Sequence, residues 1–420
     1  MPTDVLNGSA SLTAGTFSLP NLRRLWENEA FRTRRVETLS AISEQSALFE
    51  GFSNNTPCYV YSKAAFIDNY TRLKEKLGTP LFVSIKANSD FRLLIGQHEH
   101  IIDGLEAASL PELEAALTVV RGAKIYVNNP AMNLELLTHA VRSQVNVVID
   151  NSFQMELLAT LDRTSLRSIV VRLNSSVLKK LNPQHTGGKE DHFGVDFESL
   201  PDIVQRANQL RIKISGFHMF QGSNTFFNGV SQSPPLLREL VDRLSLLLGH
   251  SFSFFNLGGG FPADWADNSD FDWATYRAGL QSIAPSLGWA HESGRGVFSS
   301  AGFFLTRVLS TKLLNQKMVA ICDGGIAQNF LLCKTENPMR KYNVPLVLKK
   351  NHSHRPICDY PILYVGASCS QDDIIAKSPA QSIAPAIGDL IVFSNCGAYN
   401  NSYTMPHFLS LGAANKHFTD

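Results

Sequence analysis

The sequence predicts a TIM-type (β/α)8 barrel followed by a C-terminal antiparallel β-rich domain. Helical segments and short apolar runs alternate eight times after residue 63, as expected for parallel strands that are covered on both faces. After about residue 303 the pattern changes to alternating runs separated by Pro, Gly, Asn and Ser clusters. A chain of 420 residues has room for a barrel of about 250 residues and one smaller domain.

Residues 1–50 are expected to form an N-terminal extension, unstructured at first and then helical. The Ser/Thr/Gly-rich start has no apolar core of a secretory signal, and residues 20–48 carry apolar side chains at roughly helical spacing. Residues 51–75 hold the strand "CYVYS" and a helix that leads into the barrel. Because this strand falls outside the count of eight, we expect it to join the β domain.

Residues 76–302 are predicted to be the barrel. Its strands are expected at residues 81–86, 102–108, 123–128, 145–150, 167–173, 212–218, 253–257 and 288–293. Residues 303–420 are predicted to form the β domain, with strands in "FFLTRVLSTK", "KMVAICDGG", "PILYVGAS" and "GDLIVFS".

Composition excludes several classes of function. Lys plus Arg is 38 and Asp plus Glu is 37, so there is no charge excess to favour nucleic acid or a membrane surface as a partner. The six cysteines are scattered, without a C-x-x-C pair or zinc-ligand spacing, which predicts no metal site and favours a cytoplasmic location. We expect a small-molecule substrate.

Chemically distinctive residues collect where predicted barrel strands end, which is the face on which TIM barrels carry their active sites. Lys86 ends the first strand, His218 the sixth, three glycines follow the seventh, and Glu292 and Arg295 lie in "HESGRG" at the end of the eighth. Each has an ordinary structural interpretation: a lysine head in water, a hydrogen-bonded histidine, a tight turn, an ion pair.

Together, these residues match one cofactor. Consecutive glycine amides and an arginine suit a phosphate, and a lysine can form a Schiff base with an aldehyde. A histidine can offer its face to an aromatic ring, and a glutamate can hold a proton on a ring nitrogen. Pyridoxal 5′-phosphate has all four features, so we expect it as the cofactor.

The sequence also resembles the fold-type III pyridoxal-phosphate decarboxylases, which include the diaminopimelate and ornithine/arginine decarboxylases. The resemblance runs from about Pro57 to the C-terminus. It rests on eight motifs in order: "YVYS", "SIKAN", "LEAASLPELEAAL", "GFHMFQG", "NLGGGFP", "HESGRG", "GASCSQDDIIAK" and "PAIGDLIVFSNCGAY". It implies a barrel of the alanine racemase type.

The resemblance implies a role for each matching residue. Lys86 looks like the Schiff-base lysine, His218 like the residue that stacks on the ring, and Glu292 like the partner of the pyridine nitrogen. Cys369 looks like the catalytic residue that reprotonates the substrate carbon, and the family implies a homodimer with shared active sites. The remaining cofactor-binding residues that it implies lie at the phosphate: Gly258, Gly259, Gly260, Gly294, Arg295 and Tyr399.

Departures from the family pattern bear on the substrate. Relatives that act on diamino acids have an acid directly after the catalytic cysteine, whereas this chain has Ser370. Asp372 and Asp373 are candidate substrate-binding residues that compensate for this loss. Gln221 replaces a serine or threonine that often meets the phosphate. We expect a substrate of specialised metabolism, such as a siderophore precursor or an acylated or carrier-linked amino acid.

Alternatives remain open at this point. A diaminopimelate decarboxylase of lysine biosynthesis is one, and an amino acid racemase is another, although Glu292 and Cys369 argue against a racemase. A non-enzymatic vitamin B6 carrier would not need the β domain. A nucleotide-binding dehydrogenase would need G-x-G-x-x-G near the first strand, and that motif is absent from that position.

Overall fold

The computed structural model describes residues 50–188, 191–333, 345–350 and 356–419. The predicted N-terminal extension therefore lies almost entirely outside the described residues. Within them, none of the helices combines the length and apolar character needed to cross a bilayer.

Eight parallel strands close into a barrel, as the sequence predicts. Each strand lies within or close to one of the eight predicted segments. They are β2 (Leu81–Ser84), β3 (Gly104–Ala107), β4 (Ile125–Asn128), β5 (Asn146–Ile149), β6 (Ile169–Leu173), β7 (Ile214–Met219), β8 (Phe254–Asn256) and β9 (Gly288–Ser293). Most strands are shorter than predicted, because the apolar runs extend beyond the residues that pair in the ladder.

Helices surround the barrel and cover its strands. The first, α1 (Lys63–Leu77), begins where Ser62 accepts a hydrogen bond from the Ala65 amide and ends at Gly78, whose φ of 64° is the left-handed cap that glycine favours. The others are α2 (Phe91–Ile95), α3 (Leu110–Leu117), α4 (Leu134–Arg142), α5 (Ser152–Ala159), α6 (Val177–Leu181), α7 (Leu200–Gln209), α8 (Pro234–Leu248), α9 (Trp273–Ile283) and α10 (Arg295–Phe298).

The β domain is built on a larger, mainly antiparallel sheet. Its strands are β1 (Cys58–Ser62), β10 (Gly302–Leu314), β11 (Lys317–Cys322), β12 (Leu346–Leu348), β14 (Ile362–Val365), β15 (Ile374–Ser378), β17 (Leu390–Phe393) and β18 (Asn415–Thr419). A separate pair joins β13 (Ile357–Cys358) and β16 (Ser382–Ile383).

The N-terminal strand β1 lies inside this sheet. It pairs antiparallel with β10 and parallel with β18, and all five of its residues are buried. The first and last strands of the described chain are therefore neighbours, and the β domain needs residues from both sides of the barrel sequence.

Candidate active site

Lys86 lies in a 3₁₀ turn, Ile85–Ala87, at the C-terminal end of β2. Its Nζ is 3.3 Å from Oε2 of Glu106, which is buried on the neighbouring strand β3. Desolvation lowers the pKa of the Lys86 ammonium, but the charges of Glu106 and Glu292 outweigh it, so the pKa is raised. An acidic pocket thus holds the ammonium at the barrel mouth.

Glu106 begins a chain of polar contacts across the next strands. Its Oε2 accepts a hydrogen bond from Ser84 Oγ at 2.7 Å, and its Oε1 accepts one from Asn128 Nδ2 at 3.2 Å. Asn128 Oδ1 in turn accepts from Arg172 Nη1 at 3.3 Å, and Arg172 lies 3.6 Å from the Asp150 carboxylate. The ends of five successive strands are linked in this way.

Our reading of the sequence did not assign a role to Glu106, Asn128, Asp150 or Arg172. A signal was present, because Glu106 and Arg172 are charges inside runs that are otherwise apolar, "GLEA" and "IVVRL". A buried charge in a strand needs a partner, and such a residue is a candidate for a functional site.

Glu292 and His218 lie on strands further round the barrel, Glu292 on β9, which pairs with the strand that leads to Lys86, and His218 on β7. His218 Nε2 is 3.3 Å from Glu292 Oε2, and Asn256 Nδ2 also donates to that oxygen at 3.3 Å. Burial by itself raises the pKa of Glu292, but the interaction and hydrogen bond with His218, together with the charges of Lys86 and Arg172, prevail and hold this pKa well below its usual range. Glu292 is therefore an ionised carboxylate. The other ring nitrogen of His218, Nδ1, is buried and has no partner within the described residues.

The glycine turn after β8 packs tightly against its neighbours. Gly258 and Gly260 have φ of 69° and 79°, in the left-handed region that favours glycine. A Cβ at Gly259 would collide with the carbonyl of Glu292. The Gly258 amide donates to Asn256 Oδ1 at 2.8 Å, whereas the amides of Gly259 and Gly260 make no hydrogen bond within the described part of the chain.

Arg295, at the start of α10 just after β9, contacts Tyr399. The Arg295 guanidinium lies 5.3 Å from the centre of the Tyr399 ring, and no carboxylate among the described residues pairs with it. Desolvation lowers the pKa of Arg295, so its charge is partly withdrawn from water without an anion beside it. Gly294 packs against both the turn that carries Lys86 and the Tyr399 side chain. A Cβ at Gly294 would be 2.8 Å from Ala87 Cβ and 3.2 Å from the Tyr399 hydroxyl.

Tyr399 reaches the barrel because its loop binds the turn that carries Lys86. The Tyr399 amide donates to the Ala87 carbonyl at 2.6 Å, and Asn88 Nδ2 donates to the Gly397 carbonyl at 2.9 Å. The β domain thus supplies one residue of the mouth within the same chain.

A model of the pyridoxal-dependent decarboxylase family, pyridoxal binding domain, matches residues 63–296, more than half of the chain. The chain belongs to this family.

Curated relatives are distant but cover most of this decarboxylase. A 2-[(L-alanin-3-ylcarbamoyl)methyl]-2-hydroxybutanedioate decarboxylase of Staphylococcus aureus is 24% identical over 79% of this chain and 85% of its own. A diaminopimelate decarboxylase of Deinococcus radiodurans is 26% identical over 83% of this chain and 86% of its own. An L-glutamyl-[BtrI acyl-carrier protein] decarboxylase of Niallia circulans is 24% identical over 87% and 89%.

Solved structures share the fold. The Paramecium bursaria Chlorella virus arginine decarboxylase bound to agmatine superposes with a TM-score of 0.73 at 18% identity, covering 90% of this chain and all of that one. The Helicobacter pylori diaminopimelate decarboxylase complexed with L-lysine also gives 0.73, at 20% identity and 89% and 94% coverage. The barrel and the β domain are therefore those of a fold-type III decarboxylase.

The residues at the mouth fit the family's cofactor, pyridoxal phosphate. Arg295 without a carboxylate partner and the two unengaged glycine amides suit a phosphate. The lysine has an amine for the aldehyde, and the ionised Glu292 suits a protonated ring nitrogen. The unpartnered Nδ1 of His218 leaves one buried donor or acceptor for a bound group.

Cys369 and its neighbours lie elsewhere, in the loop between β14 and β15. Cys369 is exposed, whereas the other five cysteines are buried. None of the hydrogen bonds found among the described residues joins it to the mouth of its own barrel. Asp372 is exposed as well, and its amide donates to Ser370 Oγ at 3.2 Å.

One predicted role needs correction, and a second polar side chain is also engaged in the interior. Asp373 is only 2% exposed and its carboxylate accepts the amides of Ile326 and Ser368, so it is not free to bind a substrate ammonium. The Gln221 side chain is also buried, between His185 and Ser233, where it makes hydrogen bonds within the protein. Sequence position alone did not reveal that these polar groups are buried and form hydrogen bonds within the protein.

Proposed function

We propose that this pyridoxal-phosphate decarboxylase removes the α-carboxyl group of an amino acid whose distal end is acylated, as in a siderophore precursor or a carrier-linked unit. The observation that carries the proposal is the neutral Ser370 next to Cys369. An ammonium brought into a closed site without a carboxylate partner costs several kcal/mol, whereas a serine hydroxyl can donate to an acyl oxygen. Two relatives support the proposal, because their names describe a substrate with an acylated or carrier-linked amino acid: the Staphylococcus aureus 2-[(L-alanin-3-ylcarbamoyl)methyl]-2-hydroxybutanedioate decarboxylase and the L-glutamyl-[BtrI acyl-carrier protein] decarboxylase.

Within the barrel, we assign cofactor binding to the residues of the mouth. The Lys86 amine would bind the aldehyde, and Glu106 would keep this amine oriented. Arg295, Tyr399, Gly294 and the turn of Gly258, Gly259 and Gly260 hold the phosphate. His218 lies against the ring, and Glu292 holds a proton at the ring nitrogen, supported by Asn256.

When bound, pyridoxal phosphate supplies the electron sink for the charge left on the substrate carbon as CO₂ departs. The protein's part is electrostatic. Glu292 is ionised and buried, so it stabilises a protonated ring nitrogen in a place where water cannot screen the interaction. Glu106, 3.3 Å from the Lys86 amine, would keep that amine near the reacting carbon.

Cys369 is assigned the return of a proton to the substrate carbon. Among the described residues its thiol is exposed on the β domain and has no hydrogen bond to its own barrel mouth, which supports a homodimer in which each β domain completes the partner's site. We place this dimer in the cytoplasm.

The substrate proposal is tested by kcat/KM on two groups of amino acids. One group contains free lysine, ornithine and meso-diaminopimelate, and the other contains 2,3-diaminopropionate or glutamate units acylated at the distal end. We expect the second group to be preferred, and Ser370→Glu to shift the preference toward free diamino acids. Gln371→Glu is the matched control, because it adds the same charge one residue further along the exposed loop.

Diaminopimelate decarboxylase is the second candidate, because several relatives of 23–27% identity carry that name. Activity of the unchanged protein on meso-diaminopimelate at or above about 10⁴ M⁻¹s⁻¹, the low end of ordinary enzyme efficiency, would replace our substrate proposal with that one.

A further inference from the structure

The loop that carries Cys369 is organised around one buried carboxylate, that of Asp373. Its Oδ1 accepts the Ile326 amide at 2.7 Å and lies 3.7 Å from Cys333 Sγ, while its Oδ2 accepts the Ser368 amide at 3.0 Å. A carboxylate removed from water is stable only when its oxygens are satisfied in this way.

The same residue binds the peptide groups on both sides of Cys369. The Ser368 amide donates to the Asp373 side chain, and the Asp373 amide donates to the Ser370 carbonyl at 3.2 Å. The Asp373 carbonyl also accepts the Gly366 amide at 3.0 Å, which closes the start of the loop. The thiol of Cys369 is exposed, but the backbone on both sides of it is held by hydrogen bonds to Asp373.

Two glycines lie directly against this carboxylate. A Cβ at Gly325 or at Gly366 would collide with the Asp373 carboxylate oxygens. Two glycines from different loops therefore enclose it, so the position of the Cys369 loop is tied to the loop after β11.

We propose that Asp373 is a positioning residue that sets where the Cys369 thiol is presented. The proposal rests on the assignment of Cys369 as the proton donor, and it replaces the role in substrate binding that the sequence had indicated for Asp373. A proton donor works only when its atom lies within hydrogen-bonding reach of the reacting carbon, and a displacement of about 1 Å can cost up to 10²-fold in rate.

The test replaces Asp373 by Asn in the holoenzyme. The shape is kept, but one oxygen becomes an N–H group that cannot accept the Ser368 or the Ile326 amide. We expect kcat to fall by about 10-fold or more while KM changes by less than about threefold, because the loop moves and the cofactor site does not. Asp359→Asn, at an exposed carboxylate of the same domain, is the control and should leave kcat unchanged.

A second readout does not depend on turnover. Cys369 is the one exposed cysteine of the six, so iodoacetamide applied to the folded holoenzyme reports on this thiol. In Asp373→Asn the alkylation rate measured across pH should rise at least about threefold, because in the proposed homodimer the thiol lies at the partner's barrel mouth and a loosened loop leaves that position more often. Asp373→Glu keeps the charge but moves the oxygens by one methylene, and it should show the same change if geometry is what matters. This variant also serves if the Asn protein does not fold.

The outcomes separate this inference from the assignment of Cys369. If alkylation and kcat of both Asp373 variants match those of the unchanged protein, Asp373 does not position the thiol. If Cys369→Ala retains full activity, the thiol is not the proton donor, and the alkylation rates alone decide whether Asp373 fixes the loop.

Discussion

Replacing Glu106 by Gln tests whether the carboxylate sets the charge state of Lys86. The two groups are 3.3 Å apart, and the Lys86 side chain is 44% exposed in the structure. With this exposure, water screens the pair strongly, so we use the dielectric constant of water rather than that of an interior. The interaction is then about 1.3 kcal/mol, or about one pKa unit.

Glu106→Gln should therefore lower the raised pKa of Lys86 by about one unit, with Glu292 still contributing. Only the neutral amine attacks an aldehyde, so at a fixed pH below both pKa values the reactive fraction should rise about tenfold. Stopped-flow absorbance of the apoenzyme mixed with pyridoxal phosphate, from neutral to alkaline pH, measures this rate.

The expected result is a profile displaced toward lower pH by about one unit. Glu114→Gln is the matched control, because Glu114 is an exposed carboxylate on the neighbouring helix α3. If the Glu106→Gln profile coincides with that of the control, the carboxylate does not set the charge of Lys86 and the electrostatic reasoning fails.

Three further results are expected. The purified holoenzyme should be yellow, and Lys86→Ala should lack the chromophore that borohydride reduces; an unchanged reducible chromophore would assign attachment to another amine. Glu292→Gln should lose at least about 10²-fold in turnover, the usual size for removal of an electrostatic catalytic group, and a loss of less than threefold would mean that another group holds the ring proton. Equal amounts of inactive Lys86→Ala and Cys369→Ala proteins, once their subunits exchange, should recover up to about a quarter of the normal activity per total site. This fraction follows because half of the dimers are mixed and each mixed dimer has one intact site. No recovery after proven exchange would place the whole site in one chain.

The repeating pattern of the sequence was sufficient to predict the barrel and the face of the barrel that carries the candidate site. Eight apolar runs at regular spacing predict eight parallel strands, because burial on both faces requires apolar side chains along the whole run. Lys86, His218 and Glu292 could be placed at the mouth because the C-terminal ends of parallel strands lie on one face. These inferences need only local periodicity and one rule of topology.

Contacts between residues that are distant along the chain became visible only in the tertiary structure. The contact of Glu106 with Lys86, and the links through Asn128 and Arg172, depend on strand register, which periodicity does not specify. Tyr399 reaches Arg295 only because its loop bonds to the turn after β2.

Asp372 and Asp373 illustrate the difference most directly, since they are adjacent acids that the sequence treats alike. One is exposed and the other is almost fully buried beneath Cys369. The direction of a side chain at a loop-to-strand junction follows from the hydrogen bonds around the loop, and for Asp373 the Ile326 amide, from the turn after β11, completes those bonds. Ile326 is 47 residues away along the chain, so the sequence of the loop alone does not reveal this contact.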